Sequence, residues 1–136
     1  MTVIVDTSVW SLALRRRKSP DDAPAVTSLQ MLINDEQVAL IGAIRQEILS
    51  GIRSSEQFAR LRDYLQAFPD LGLVPEDYEL AAEFFNTCRS HGIQGSNTDF
   101  LICSVAHRRG YSILTTDKDF QGFQAYISMA LLPFND

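Results

Sequence analysis

The chain has 136 residues, of which 46% are hydrophobic and 21% charged, and its net charge is −5. This length predicts one domain, 1–136, and this composition predicts a buried core and argues against disorder. No run approaches the ~18 apolar residues of a membrane span. The N-terminus lacks a basic leader and a cleavage site, so we expect no signal peptide and a cytoplasmic location.

Short apolar runs alternate with longer helical patterns along the whole chain. In chain order, the predicted elements are a strand at 2–5, helices at 8–17 and 25–34, a strand at 38–41, helices at 43–52 and 55–68, a strand at 71–74, helices at 76–92 and 96–110, and strands at 112–115 and 129–134. The strands are almost wholly apolar, as is typical of strands buried on both faces. Strands separated by helices predict βαβ units, and therefore an α/β fold: a three-layer α/β/α domain with a parallel sheet.

The cysteines and histidines indicate neither a zinc site nor a disulfide. Cys88 and Cys103 lie in helical patterns without a zinc-ligand spacing, which fits core or surface residues in a reducing compartment. His91 and His107 lie near the ends of helical patterns, where we expect surface positions.

Four acidic residues stand at positions where an ordinary structural role competes with a functional one. Asp6 follows the first strand and could cap the next helix; Glu47, in the helix after the second strand, could be a solvated helix residue. Asp117 follows the fourth strand within "ILTTDKDF" and could be a turn residue. Asp99 fits the capping box "SNTD". Each ordinary role is acceptable when its residue is taken alone.

Taken together, these acids indicate a cation site. The carboxyl ends of parallel strands share one edge of the sheet, where such folds bind ligands. Carboxylates gathered there repel one another unless a cation intervenes. Ligands that are all oxygen select hard ions such as Mg²⁺ or Mn²⁺. No cysteine or serine lies in an activating motif, so the pattern favours phosphate chemistry with a metal-positioned water. A net charge of −5 also argues mildly against passive binding of nucleic acid.

The acids lie within four segments that resemble the motifs of the PIN-domain ribonucleases, specifically the VapC-type toxins of type II toxin–antitoxin (VapBC) systems. The segments are "VIVDTSVW", "RQEILSGIRS", "NTDFLICSVAHRRG" and "ILTTDKDF". The resemblance runs almost from end to end. It implies a PIN-like sheet with strand order 3-2-1-4-5 and an Mg²⁺-dependent endoribonuclease, with Mn²⁺ as an alternative. It also implies cleavage of single-stranded or looped RNA. We expect a specific structured RNA, a tRNA or rRNA loop, whose cleavage inhibits translation and growth.

The same resemblance implies partners and residue roles. The partners are a second copy of the chain, a cognate VapB-type antitoxin that blocks the site, and a higher assembly with it. We expect Asp6 and Asp99 to be the principal metal ligands, with Glu47 and Asp117 completing the catalytic pocket. Family members differ in which aspartate of the last motif approaches the metal, so Asp119 stays an alternative to Asp117. The other secondary candidates are Thr7, Ser8 and Thr116.

Two further stretches have alternative roles. Arg15, Arg16, Arg17 and Lys18 form a basic run that could bind RNA phosphates or could be a solvated helix end. Tyr78, Phe84 and Phe85 could stack on bases, but aromatic residues at helical spacing more often belong to the core or contact a second subunit.

Three other classes of protein compete with the nuclease interpretation. A response-regulator receiver should have paired acids after its first strand, whereas Asp6 is followed by Thr7. A haloacid-dehalogenase-type phosphatase needs Asp-x-Asp there, and Ser8 occupies the second place. A non-catalytic PIN scaffold should have lost an acid, and all four are present. Cleavage of RNA that depends on added Mg²⁺ separates the nuclease from all three.

Overall fold

A computed structural model describes residues 1–14 and 23–134 of the chain. Within these residues the sheet consists of four parallel strands, β1 (Val3–Val5), β2 (Val38–Ala39), β3 (Ser112–Leu114) and β4 (Ala130–Leu131), in the order β2-β1-β3-β4. The helices are α1 (Thr7–Ala13), α2 (Ala23–Asn34), α3 (Gly42–Leu49), α4 (Ser55–Leu65), α5 (Pro75–Ser90), α6 (Asn97–Arg109) and α7 (Asp119–Phe123). The predicted three-layer α/β/α class is confirmed.

The prediction of a strand at 71–74 is wrong. Only a single parallel bridge, between Leu40 and Asp70, forms beside β2, and the Leu71 amide donates to the Leu40 carbonyl at 2.9 Å. The segment therefore lies on the outer side of β2, where the order 3-2-1-4-5 puts its third strand, without becoming a strand.

The neighbouring strand ends beside this segment, because Ile41 is already the N-cap of α3, and side chains bind backbone groups of the segment that face away from β2. The Gly72 carbonyl accepts a hydrogen bond from Arg109 at 3.1 Å, and the Val74 amide donates to Asp77 Oδ2 at 2.9 Å. Val74 is also the N-cap of α5, and Pro75 is its first residue, a position where the fixed φ of proline suits a helix. The chain therefore turns into the helix instead of extending the sheet.

The core forms where the apolar runs of the sequence meet. Val3, Ile4 and Val5 of β1 are fully buried, as expected for a central strand covered on both faces. The helix α6 packs against β1 and β3, and residues 100–106 of this helix are all buried. Local signals set the helix ends: the Ser54 side chain caps α4, and Gly92 (φ 77°) follows α5 in the left-handed conformation that glycine permits.

A buried ion cluster, which the sequence analysis missed, joins α5 to α6. The Asp77 carboxylate is fully buried and accepts hydrogen bonds from Arg108 Nη1 at 2.6 Å and Arg109 Nη1 at 2.8 Å. Ser104 Oγ donates to the Asp77 carbonyl at 2.6 Å. Hydrogen bonding to Arg109, opposed by burial, holds the pKa of Asp77 well below its usual range. The start of α5 is thereby held against α6.

The remaining side-chain predictions concern cysteine and histidine. Cys88 and Cys103 are buried and form no disulfide, and burial raises the pKa of both thiols. Neither is an activated thiolate. His91 and His107 are exposed at the ends of α5 and α6, as predicted. Within residues 1–14 and 23–134, no helix is both long and apolar enough to cross a membrane.

Candidate active site

An acidic pocket of about 590 Å³ opens at the carboxyl edge of the sheet. The end of β1, the helices α3 and α6 and the turn after β3 all contribute to it. Its lining residues are Asp6, Thr7, Ser8, Ala43, Gln46, Glu47, Ser50, Thr98, Asp99 and Asp117. The structure thus brings the four acids named in the sequence analysis to one pocket, which we call the acidic pocket.

Asp6 lies directly after β1 and is 5% exposed. It occupies the N-cap position of α1, but its side chain makes no capping hydrogen bond. Instead, its Oδ2 accepts hydrogen bonds from Ser8 Oγ at 2.7 Å and Thr115 Oγ1 at 2.8 Å. The ordinary capping role therefore does not account for this carboxylate, which two hydroxyl groups hold in a fixed orientation at the sheet edge.

Glu47 lies on the exposed side of α3, across the pocket from β1. Its Oε1 accepts a hydrogen bond from Thr7 Oγ1 at 2.6 Å. This bond connects the start of α1 to α3. The two secondary candidates beside Asp6 thus have distinct contacts, because Thr7 binds Glu47 whereas Ser8 binds Asp6.

Asp99 caps the start of α6 and also lines the acidic pocket. The predicted capping box at the start of α6 is present: the Asp99 amide donates to Ser96 Oγ at 3.0 Å, and the Ser96 amide donates to Asp99 Oδ2 at 3.1 Å. Burial raises the pKa of Asp99, and the nearby carboxylates of Asp6 and Asp117 raise it further, against the hydrogen bonds from Ser96. Burial is thus the main cause of the raised pKa of Asp99, and repulsion from the other pocket acids adds to it.

Of the two aspartates in "ILTTDKDF", only Asp117 lines the acidic pocket. Its amide donates to Thr115 Oγ1 at 3.0 Å, and its Oδ1 accepts from the Asp119 amide at 2.9 Å. Asp119 is exposed at the start of α7 and does not line the pocket. Thr116 is also exposed, and its amide donates to Ser8 Oγ at 3.2 Å.

Thr115, which the sequence does not single out, contacts two of the acids directly. Its hydroxyl donates to Asp6 and accepts from the Asp117 amide, so it contacts both acids. The parallel register pairs Val5 with Leu114, which places the next residues, Asp6 and Thr115, side by side. The sequence contains two adjacent threonines, and only the register distinguishes the inner one from Thr116.

The donor atoms of the acidic pocket suit a hard divalent cation. All the ionisable groups that line it are carboxylates, and oxygen ligands are the ones that Mg²⁺ and Mn²⁺ prefer. Among the described residues, however, no three His, Cys, Asp or Glu side chains stand close enough together to form a ready metal cage. The four acids therefore surround one space, but their carboxylates do not meet at one point. A cation bound in this space would reduce the repulsion that Asp6 and Asp117 exert on Asp99.

The basic run Arg15, Arg16, Arg17 and Lys18 lies outside the described residues. Of the aromatic candidates, Phe84 and Phe85 are half-buried against the core, and Phe85 packs edge-on against Phe100. Tyr78 is 55% exposed.

Comparison with known proteins gives a family and a fold. Residues 3–125 match the family model of the PIN domain. No curated protein matches the chain in sequence. Among solved structures, the chain is similar to FitAcB from Neisseria gonorrhoeae, at 17% identity and a TM-score of 0.75 over 97% of each chain.

Two further solved structures share this fold. VapBC2 from Rickettsia felis, bound to a DNA fragment from its promoter, has 17% identity and a TM-score of 0.76 over 97% of this chain and 98% of that one. A toxin–antitoxin complex from Klebsiella pneumoniae has 15% identity and a TM-score of 0.65 over 96% of this chain and 100% of that one. The family match decides against the receiver and phosphatase interpretations.

Proposed function

The chain belongs to the PIN-domain family, and from that premise we propose that it is a metal-dependent endoribonuclease, the VapC-type toxin of a toxin–antitoxin pair. PIN domains are in general nucleases, hydrolases of phosphodiester bonds that use divalent metals. The observation that carries the proposal is the acidic pocket, where Asp6, Glu47, Asp99 and Asp117 come from four different parts of the chain to one space.

In this proposal Asp6 and Asp99 are the principal metal ligands, and Glu47 and Asp117 complete the pocket. A bound Mg²⁺ or Mn²⁺ would supply positive charge to offset the phosphoryl oxygens and to lower the pKa of an attacking water. Asp6 suits the role of metal ligand because the hydroxyl groups of Ser8 and Thr115 both donate to its Oδ2. Its Oδ1 is therefore the oxygen that can face a cation.

The chain's own hydroxyl groups keep the acids in place. Ser8 and Thr115 fix the Asp6 carboxylate, and Thr7 fixes the Glu47 carboxylate. Asp117 is oriented by the Asp119 amide, which donates to its Oδ1. Such outer hydrogen bonds commonly determine how well a metal site binds, because they hold ligands in position before the metal arrives.

We propose a specific structured RNA as the substrate, a tRNA or rRNA loop whose cleavage inhibits translation and growth. A chain with a net charge of −5 gains little from general attraction to phosphate, so affinity must come from the metal, local cations and shape. Exposed loops let the backbone bend into a recessed site, which a continuous duplex does not. The expected products carry a 5′-phosphate and a 3′-hydroxyl.

We also propose that the antitoxin occupies an apolar groove beside the acidic pocket. This groove, of about 680 Å³, runs between α1, α3 and α4, and Leu14, Ile48, Ile52 and Leu61 contribute to its walls. Glu47 lines both the groove and the acidic pocket. An apolar segment in the groove could therefore direct a basic side chain to the acids, which it would satisfy as a metal does. The likeness to a toxin–antitoxin complex supports such a partner.

Substitution of aspartate by asparagine tests the proposal, because it removes the charge of the side chain but keeps its shape. Asp6→Asn and Asp99→Asn should lower RNA cleavage in limiting Mg²⁺ by more than about 100-fold, because each removes a charged ligand, and loss of an outer partner alone typically costs about 10- to 100-fold. Asp35→Asn is the matched control, because Asp35 is exposed and does not line the acidic pocket. Thermal unfolding of each variant shows that the fold is retained.

Sequencing of RNA ends after brief induction in cells tests the substrate and the products. Cuts at one or a few loops, with 5′-phosphate ends, agree with the proposal. Wild-type cleavage rates in both pocket variants would refute the site assignment. Ends that carry 2′,3′-cyclic phosphate would refute the hydrolytic chemistry.

A further inference from the structure

A second groove adjoins the acidic pocket on the side of α7. It encloses about 810 Å³, and we call it the α7 groove. Asp117 lines both the acidic pocket and the α7 groove, so the two spaces adjoin at this residue. Beyond Asp117, the groove presents the hydroxyl of Thr116, the ammonium of Lys118, the amide of Gln121 and the ring of Phe134.

Lys118 and Gln121 lie on the same side of the short helix α7. Lys118 is the N-cap residue, and the Gln121 amide donates to the Lys118 carbonyl at 3.1 Å. Residues three apart on a helix are neighbours on its surface, and both side chains are exposed. Gln124 differs from Gln121 because its side chain donates to the Met129 carbonyl at 3.2 Å and so supports the chain that leads to β4.

The charge of Lys118 is available to a ligand. The ion pairs of the described residues involve Arg45, Arg62, Arg108 and Arg109, and none involves Lys118. Asp117, which precedes it, is oriented by the Asp119 amide. A cation beside an acidic pocket offsets the repulsion that the acids exert on an approaching phosphate, a need that is acute in a chain with a net charge of −5.

We propose that the α7 groove binds single-stranded RNA next to the scissile phosphate, with Lys118 on a backbone phosphate and Gln121 on a base edge. This inference rests on the proposed nuclease function. A glutamine amide both donates and accepts hydrogen bonds, which suits the exposed edges of unpaired bases. Phe134 is half-buried and provides an apolar wall for a base. The lysine between the two aspartates of "ILTTDKDF" thereby has a role of its own.

The test measures RNA binding separately from cleavage. In an Asp6→Asn background, the Kd of an end-labelled single-stranded RNA of mixed sequence is measured over a series of salt concentrations. Lys118→Gln should raise this Kd about 3- to 10-fold and lower the salt slope by about 0.7, the loss of one phosphate contact with a single strand. Gln121→Ala should raise the Kd about 2- to 5-fold at an unchanged slope, because it removes a neutral contact.

Arg62→Gln is the matched control, since it removes the same charge from an exposed position outside the α7 groove. Binding by Lys118→Gln that equals binding by Arg62→Gln, or no measurable binding by the parent, would overturn the inference. So would a Lys118→Gln variant that loses affinity for the antitoxin but keeps its affinity for RNA. Metal-dependent cleavage by the wild type tests the nuclease function separately, because the Kd series uses a variant that is not required to cleave.

Discussion

Replacing Asp77 by Asn removes the one negative charge of the buried ion cluster, leaves the two arginine charges, and retains an oxygen that can accept from the Val74 amide. The Asp77 side chain is 0% exposed, whereas those of Arg108 and Arg109 are 33% and 21% exposed. Removing one partner of a buried pair costs about 3–5 kcal/mol. Water reaches both guanidinium groups, so we reduce the expected loss in free energy of unfolding to about 2–3 kcal/mol.

The loss should depend on pH with a defined sign. The pKa of Asp77 is depressed in the folded state, so its contribution to stability is complete above the unfolded pKa of about 3.9 and is lost as pH falls toward the folded pKa. The difference in stability between the wild type and Asp77→Asn should therefore be constant above about pH 5. Below about pH 4 it should shrink by up to ~1.4 kcal/mol per pH unit.

Urea unfolding between pH 3 and pH 7 measures both quantities. Asp63→Asn is the control, because Asp63 is exposed and pairs with exposed Arg62 at 3.2 Å, a contact worth less than about 1 kcal/mol. A loss in Asp77→Asn no larger than in Asp63→Asn would refute the assigned importance of the cluster. A stability difference that grows as the pH falls would refute the sign of the pKa shift.

Two further predictions concern the last motif and the assembly. Asp117→Asn should impair cleavage of one RNA at equal metal about 10- to 100-fold, whereas Asp119→Asn should leave it within about twofold, because only Asp117 lines the acidic pocket. The reverse ranking would move the site to Asp119. The chain should be a dimer by light scattering at micromolar concentration, since Tyr78 and Phe85 line a groove between α5 and α6 that a second copy can cover. It should also bind a small antitoxin encoded beside it. A monomeric chain, with no inhibitory protein encoded by a neighbouring gene, would contradict this prediction.

The elements of the fold could be predicted because their signals are local. The apolar run that ends at Val5 marks a strand buried on both faces, and Ser96 with Asp99 marks the start of a helix, whatever lies elsewhere in the chain. Parallel strands also have their carboxyl ends at one edge, so the strand order did not need to be known to predict that Asp6 and Asp117 lie at the same edge. That they are close together depends on β1 and β3 being adjacent.

The third predicted strand shows where local signals fail. The run at 71–74 is apolar enough for a strand, but whether a short run joins a sheet also depends on how far the neighbouring strand extends. Here the neighbouring strand ends early, because β2 stops at Ala39 and Ile41 is already the N-cap of α3. The end of β2 cannot be inferred from the run itself.

The sequence by itself determined the alternation of strands and helices, the motif positions of the acids and the family they resemble, because these depend on residues close together in the chain. Only the tertiary structure decided that Thr115 rather than Thr116 holds Asp6, that Asp117 rather than Asp119 lines the acidic pocket, and that Asp77 is buried against two arginines. Each of these depends on strand register or helix packing between distant segments, and a shift of one residue in register turns a side chain to the opposite face.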